Sequence, residues 1–259
     1  MADVILVARE GGIVTVTLNR PEKLNALDAA MWKRLREVFG ELDRDDSIRC
    51  IVVRGAGDRA FAAGADISEF ADERKDVARA KTYGKAELGG VMAVAECRHP
   101  TVALIRGACV GGGLEIACAC DVRVAGRSSR FGIPINRLGL TMAYRELEFF
   151  LDVVGPAVAR EILLEGAIFD ADRAYRMHLV HRIVEDAQVE TEAYATARRI
   201  AEGAPLVNRW HKKFIRRLGR RTRLTRAELD EGYAAFGTKD YQIGFRAFLE
   251  KRKPEFKGI

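Results

Sequence analysis

Ala108-Cys109-Val110-Gly111-Gly112-Gly113-Leu114-Glu115, followed by an apolar run to Asp121, is the stretch whose reading decides the fold. Three consecutive glycines leave the main chain without a side-chain shield, so its N–H groups can approach a ligand closely. Leu114 to Cys120 read as the opening turns of a buried helix. A helix N-terminus offers N–H donors that lack intrahelical partners, together with the positive end of the helix dipole. Such a corner can hold a carbonyl oxygen that becomes negative during a reaction. Glu115 stands within a turn of it, where a carboxyl could move protons. Taken alone, a glycine-rich corner is weak evidence of catalysis and more often a structural turn, so it needs a partner elsewhere in the chain.

That partner is Ala60-Phe61-Ala62-Ala63-Gly64-Ala65-Asp66-Ile67. It follows the strand-like Cys50-Ile51-Val52-Val53 and the turn-rich Arg54-Gly55-Ala56-Gly57-Asp58-Arg59. Small residues around Gly64 again let the main chain come close to a ligand, and a donor from here would complete a two-N–H oxyanion hole. The plain alternative is a tight turn packed with alanines.

Together these segments resemble the crotonase (enoyl-CoA hydratase/isomerase) superfamily. Asn19-Arg20-Pro21-Glu22-Lys23-Leu24-Asn25-Ala26-Leu27 is similar to the family's opening motif. Phe61 to Ile67 resembles its first oxyanion segment, and Gly111 to Glu115 its second. Cys120-Asp121-Val122-Arg123-Val124-Ala125, Arg130-Phe131-Gly132 and the closing Phe245 to Pro254 also fit, in the expected order. The resemblance implies an α/β fold, a crotonase-like spiral of repeated ββα units with a helical C-terminal region. It places a core with the acyl-CoA site in residues 1–193 and a helical region for core packing and oligomerisation in 194–259. It implies an acyl-CoA thioester as substrate, CoA being part of that substrate with no separate cofactor, and a homotrimer or dimer of trimers.

The residues themselves agree with that organisation. Ile5 to Val7 and Ile13 to Leu18 alternate around Gly11-Gly12 as a hairpin. Asp28 can cap a helix through Met31, Leu35, Val38, Phe39 and Leu42. The strand Cys50–Val53 leads to a long helical stretch ending near Glu96, and Pro100 precedes the strand Val102–Ile105. The strand Val122–Ala125 follows the glycine corner and its helix, and from Tyr194 onward the chain reads helical and charged.

At 259 residues, 48 % of them hydrophobic, the chain suits one large domain or a core plus an appendage. Met1-Ala2-Asp3 carries no basic leader and Val4 to Val7 is a short apolar run, so no signal peptide is expected. No apolar run reaches membrane-spanning length. A cytoplasmic protein is expected, its five cysteines reduced and buried in apolar stretches. Cys118 and Cys120 are too close for a zinc half-site and the four histidines form no ligand spacing, so no metal is expected. The net charge of +6 is concentrated between Arg209 and Arg226. No aromatic-interleaved platform accompanies it, so the reading favours a solvated helix face that helps hold CoA phosphates over a nucleic-acid surface.

Carried over residue by residue, the resemblance gives the oxyanion donors to the main chain of Ala65 and Gly112 and the first catalytic glutamate to Glu115. It places Lys23, Leu24, Ala26 and Ala63 along the CoA moiety, and Asp66 reads as a cap. The pattern breaks at the second hydratase glutamate, where Ile135 stands after Phe131-Gly132-Ile133-Pro134. An isoleucine moves no proton and dries the place where water would be activated. Arg137 and Tyr144 are new polar groups expected near the pocket, either structural or substrate-binding. Glu146 and Glu148 are replacement acids only if their helix does not direct them elsewhere. The chain therefore reads as an acyl-CoA-processing enzyme working with one acid, the alternatives being a decarboxylase on the same fold and a non-catalytic RNA-binding or scaffolding homologue.

Overall fold

In the computed structural model, which describes residues 3–219 and 221–259, two sheets run side by side and exchange strands turn by turn. The chain opens with β1 (Ile5–Glu10) and β2 (Ile13–Leu18), then α1 (Ala29–Leu42). Three successive turns follow: β3 (Cys50–Gly55) and β4 (Ala60–Ala62) with α2 (Phe70–Glu73) and α3 (Val77–Glu96); β5 (Thr101–Ile105) and β6 (Ala108–Val110) with α4 (Gly112–Ala119); and β7 (Val122–Gly126) and β8 (Arg130–Gly132) with α5 (Tyr144–Glu165). Then come β9 (Phe169–Asp170), α6 (Ala171–Arg176), β10 (Arg182–Val184), α7 (Val189–Ala201), α8 (Pro205–Gly219), α9 (Arg226–Glu231) and α10 (Lys239–Leu249). Each turn gives its first strand to a sheet ordered β1-β2-β3-β5-β7-β10 and its second to one ordered β4-β6-β8-β9. This is the repeated ββα spiral. Among the strand pairs of the described residues, only the β1–β2 hairpin and the β8–β9 pair are antiparallel.

The large sheet is covered on both faces, which is why its central strands read as continuous apolar runs. Ile51, Val53, Ala103 and Ile105 point into the main core with Met31, Trp32, Leu35 and Phe39 of α1. Cys50, Val52, Val102 and Leu104 point the other way, onto Val189, Ala193 and Ala197 of α7. The side chain of Asp28 accepts from the Met31 N–H at 2.8 Å and starts α1 as the sequence predicts. The expected division at 193/194 falls inside α7, a continuous helix seated on the sheet, and α8 to α10 follow it. All five cysteines are free and buried. No helix of the described residues is long and apolar enough to cross a membrane.

Candidate active site

β4 and β6 are parallel neighbours, so the segments leaving them, Ala63-Gly64-Ala65 and Gly111-Gly112, emerge side by side. Gly64 (φ +102°) and Gly111 (φ +52°) both adopt left-handed backbone, which favours glycine. They also touch: a Cβ on Gly111 would lie 3.5 Å from the Gly64 Cα. The Leu27 N–H donates to the Gly64 carbonyl and the Asp66 N–H to the Leu27 carbonyl, each at 2.8 Å. That clamp holds Ala65 from both sides and leaves its own N–H with no acceptor among the described residues. Gly112 is the first residue of α4, and its N–H likewise has none. Two unpaired donors thus stand on adjoining segments, one at the positive end of a buried helix.

Glu115 lies in the first turn of that helix, every residue of which is buried. It is 9 % exposed, and its Oε2 has no hydrogen-bond partner. Burial pushes this carboxyl well above the usual carboxylate range, helped by the charges of Glu87 and Glu146 and opposed by that of Arg74. Glu87 belongs to the inward face of α3, with Tyr83, Gly90, Val91 and Val94. It accepts from Arg74 Nη2 at 2.8 Å, and burial still lifts its carboxyl to about 7. The Arg74 guanidinium lies over the rings of Phe70 and Tyr83, 4.5 and 4.2 Å from their centroids. Tyr83 donates to the Leu27 carbonyl and accepts from Trp32 Nε1, each at 3.3 Å. One connected group therefore joins Arg74 and Glu87 to the segment that clamps Ala65.

Glu87 and Arg74 escaped the sequence reading. The available signal was a carboxylate within a helical apolar stripe, at Tyr83, Glu87, Val91 and Val94, where a charge is expensive unless it is paired or used.

Of the residues expected along CoA, Lys23, Leu24, Ala26 and Ala63 lie on one connected strip. The Ala26 N–H donates to the Lys23 carbonyl and the Ala63 N–H to the Leu24 carbonyl, both at 3.1 Å. The Lys23 ammonium meets Asp66 at 2.8 Å and remains half-exposed. Asp66 accepts from the Ser68 N–H, as a cap does, and also from Arg20 and Lys23. Ile135 sits in the turn Pro134–Leu138, half-buried against the main core.

Arg137 and Tyr144, expected near the pocket, are both exposed, Tyr144 to 92 %, and neither belongs to the buried carboxyl group. Glu148 faces Arg145 on the surface. Glu146 accepts from the Ala143 N–H at 2.8 Å and so fixes the start of α5, while its charge reaches both buried carboxyls. The basic run is largely engaged within the fold: Arg209 with Asp46, Lys212 with Asp121, Lys213 with Glu231, Arg217 with Glu228 and Arg226 with Asp230. Arg220 of that run lies outside the described residues.

Residues 8–259 match the sequence pattern of the enoyl-CoA hydratase/isomerase family. The short-chain-enoyl-CoA hydratase of Clostridium acetobutylicum is 32 % identical, over 97 % of this chain and 96 % of its own. Among solved structures, an enoyl-CoA hydratase/carnithine racemase of Magnetospirillum magneticum is 51 % identical and superposes with a TM-score of 0.98, covering 100 % of this chain and 97 % of that one. The enoyl-CoA hydratase of Bacillus anthracis, at 28 % identity, superposes with a TM-score of 0.91 over 99 % of this chain and 100 % of its own. With the ββα spiral and full-length similarity in agreement, this chain belongs to the enoyl-CoA hydratase/isomerase family and has the crotonase fold.

Proposed function

We propose that this enzyme acts on an unsaturated acyl-CoA thioester by holding its carbonyl oxygen between the N–H groups of Ala65 and Gly112 while Glu115 moves protons at the adjacent carbons. The observation that carries the reading is the pair of unpartnered N–H donors beside a buried carboxyl with an unpartnered oxygen. Negative charge grows on the thioester oxygen as the α carbon becomes enolate-like, and donors already in place stabilise it without reorganising. Each such donor is worth about 3 kcal/mol in the transition state. Glu115, whose burial favours its protonated form, can give a proton to one carbon, and its conjugate base can take one from another. Lys23, Leu24, Ala26 and Ala63 form the strip along which CoA lies.

Decarboxylation is the weaker alternative. Ile135 offers a dry wall for a carboxylate to leave from, but the charges of Glu87 and Glu146 oppose a second negative charge beside the thioester, and Arg74 is already paired with Glu87. RNA binding is weaker still, because Lys212, Lys213 and Arg217 are engaged by Asp121, Glu231 and Glu228. The exposed Leu229, Tyr233, Phe236, Phe248 and Leu249 of the C-terminal region support assembly into trimers or pairs of trimers. Five buried thiols suit a reducing compartment such as the cytoplasm.

Loss of the conjugated-thioester absorbance of crotonyl-CoA, and its gain from a 3-enoyl-CoA, test the reading. Glu115→Gln should lower the active reaction by about 100- to 10,000-fold. Equal rates in wild type and variant would overturn it.

A further inference from the structure

Two-acid hydration requires a second carboxyl, and Ile135 does not provide one. The buried face of α3 does. Glu87 is the only carboxylate among that helix's buried residues, in a stripe otherwise made of Tyr83, Gly90, Val91, Val94 and Ala95. Its helix packs on α1 and α4 through Trp32, whose ring lies against Gly90 on one side and Gly112 on the other: a Cβ at either glycine would stand 2.9 Å from it. Glu87 is 9 % exposed, and Arg74 satisfies its Oε2. Arg74 is itself fixed by two aromatic rings, so the pair is held rigidly. Glu115 brings to this group a covered Oε2 without a partner. The charges of Glu87 on α3, Glu115 on α4 and Glu146 at the start of α5 bear on one another, and Arg74 after α2 is bonded to Glu87 and stacked on the Tyr83 ring.

Resting on the function proposed above, we infer that Glu87, positioned by Arg74, is the second catalytic carboxyl of this site and serves as the base toward the attacking water. The ionised Glu87 takes one proton of the water as its oxygen bonds to the β carbon. The double-bond electrons move to the thioester oxygen, and Glu115 delivers its proton to the α carbon as the carbonyl reforms. One water is consumed and one hydroxyacyl thioester is formed, and Glu87 loses its proton to solvent while Glu115 regains one from it. Two carboxyls held at different affinities for the proton divide the roles of acid and base. The Arg74 guanidinium bonded to Glu87 favours its ionised form, whereas the Glu115 Oε2 has no donor bonded to it, so Glu87 suits the base and Glu115 the acid.

The test compares two reactions of the full-length enzyme. Hydration of short-, medium- and longer-chain 2-enoyl-CoA esters needs both carboxyls. Exchange of the α protons of a saturated acyl-CoA with deuterated water needs only the oxyanion donors and Glu115. In Glu87→Gln, hydration should fall at least about 100-fold more than exchange does, and the acid limb of the kcat profile near pH 7 should disappear. Arg74→Met should shift that limb upward, a change that a merely structural role would not produce. Parallel loss of both reactions in Glu87→Gln, or hydration kept within about threefold, would overturn the assignment. So would a wild type that exchanges α protons but hydrates none of these esters, a result that leaves the proposed function standing. A wild type that does neither, or a Glu115→Gln variant that exchanges normally, removes the proposed function and this inference with it.

Discussion

A Cβ placed on Gly113 would stand 2.4 Å from the carbonyl oxygen of Ala62, so the second residue of α4 and the last of β4 are in direct backbone contact. This contact sets how closely the two glycine-bearing segments approach and hence the spacing of the Ala65 and Gly112 donors. Gly113→Ala has no flexible neighbour to displace. It should destabilise the protein by about 1–3 kcal/mol, with Tm falling by roughly 2–4 °C for each. Activity should fall further than stability explains, because the donors separate. Gly84 in the middle of α3 is the control: nothing lies within 4 Å of its Cβ position, and Gly84→Ala should raise stability by about 0.5–1 kcal/mol. Thermal melts and crotonyl-CoA turnover check both, and a neutral Gly113→Ala would show that α4 can slide along β4.

Glu115 should make the protein less stable as pH rises. Its folded-state proton affinity is raised by burial and by neighbouring carboxylates, whereas the unfolded side chain titrates near 4.3. Above about pH 4.3 the unfolded chain therefore loses its proton first, and stability declines toward the raised folded value. Glu115→Gln removes this dependence while preserving shape. Its Tm should match wild type near pH 4 and exceed it by a few degrees near pH 8, although turnover is lost. A variant less stable than wild type at the higher pH would mean that Glu115 is ionised and satisfied in the fold.

Much of this site was legible because it is made of main chain. Gly64, Gly111, Gly112 and Gly113 are required by positive φ or by contact with Trp32 and Ala62, so small residues in order reveal the corner. The helix behind Asp28 and the double-faced strands were readable because capping and burial leave periodic traces. Arg74 and Glu87 were hidden for the opposite reason. They come from different elements, 13 residues apart in sequence, and their meeting depends on how α3 crosses α1 and α4. Arg137 and Tyr144 stand close in sequence to Ile135, yet the turn Pro134–Leu138 and the start of α5 carry them to the surface.

Asp66 should contribute acid-sensitive stability. Hydrogen bonds from Lys23, Ser68 and Arg20 hold its carboxyl below the usual range. A depressed folded value means that the contribution is fully present above the unfolded value of about 3.9 and is lost as pH falls through the folded one. Asp66→Asn leaves Arg20, whose side chain is 13 % exposed, with Asp28 as its remaining acid at 3.0 Å. The variant should lose about 1–3 kcal/mol at neutral pH. The gap in Tm should narrow below about pH 4, where wild type loses the same interaction. A gap independent of pH would point to packing rather than charge.

Ile135→Glu separates the need for a second carboxyl from the element that carries it. In the otherwise wild-type enzyme the substitution takes an apolar side chain from the main core and leaves a half-buried acid in its place. Hydration should not rise, and about 1–3 kcal/mol of stability should be lost. In the Glu87→Gln background the balance changes. One acid has been removed, Arg74 is left without its partner, and a carboxylate arriving from the turn Pro134–Leu138 restores the missing base. The double variant should hydrate at least about tenfold faster than Glu87→Gln alone, a non-additive gain of the kind expected when two residues serve one step. If both variants are folded and the double variant gains nothing, the water does not approach from the side of Ile135. The base must then act from α3 alone, and the departure of this chain from the two-glutamate pattern would be a relocation of the attacking water as well as of the acid.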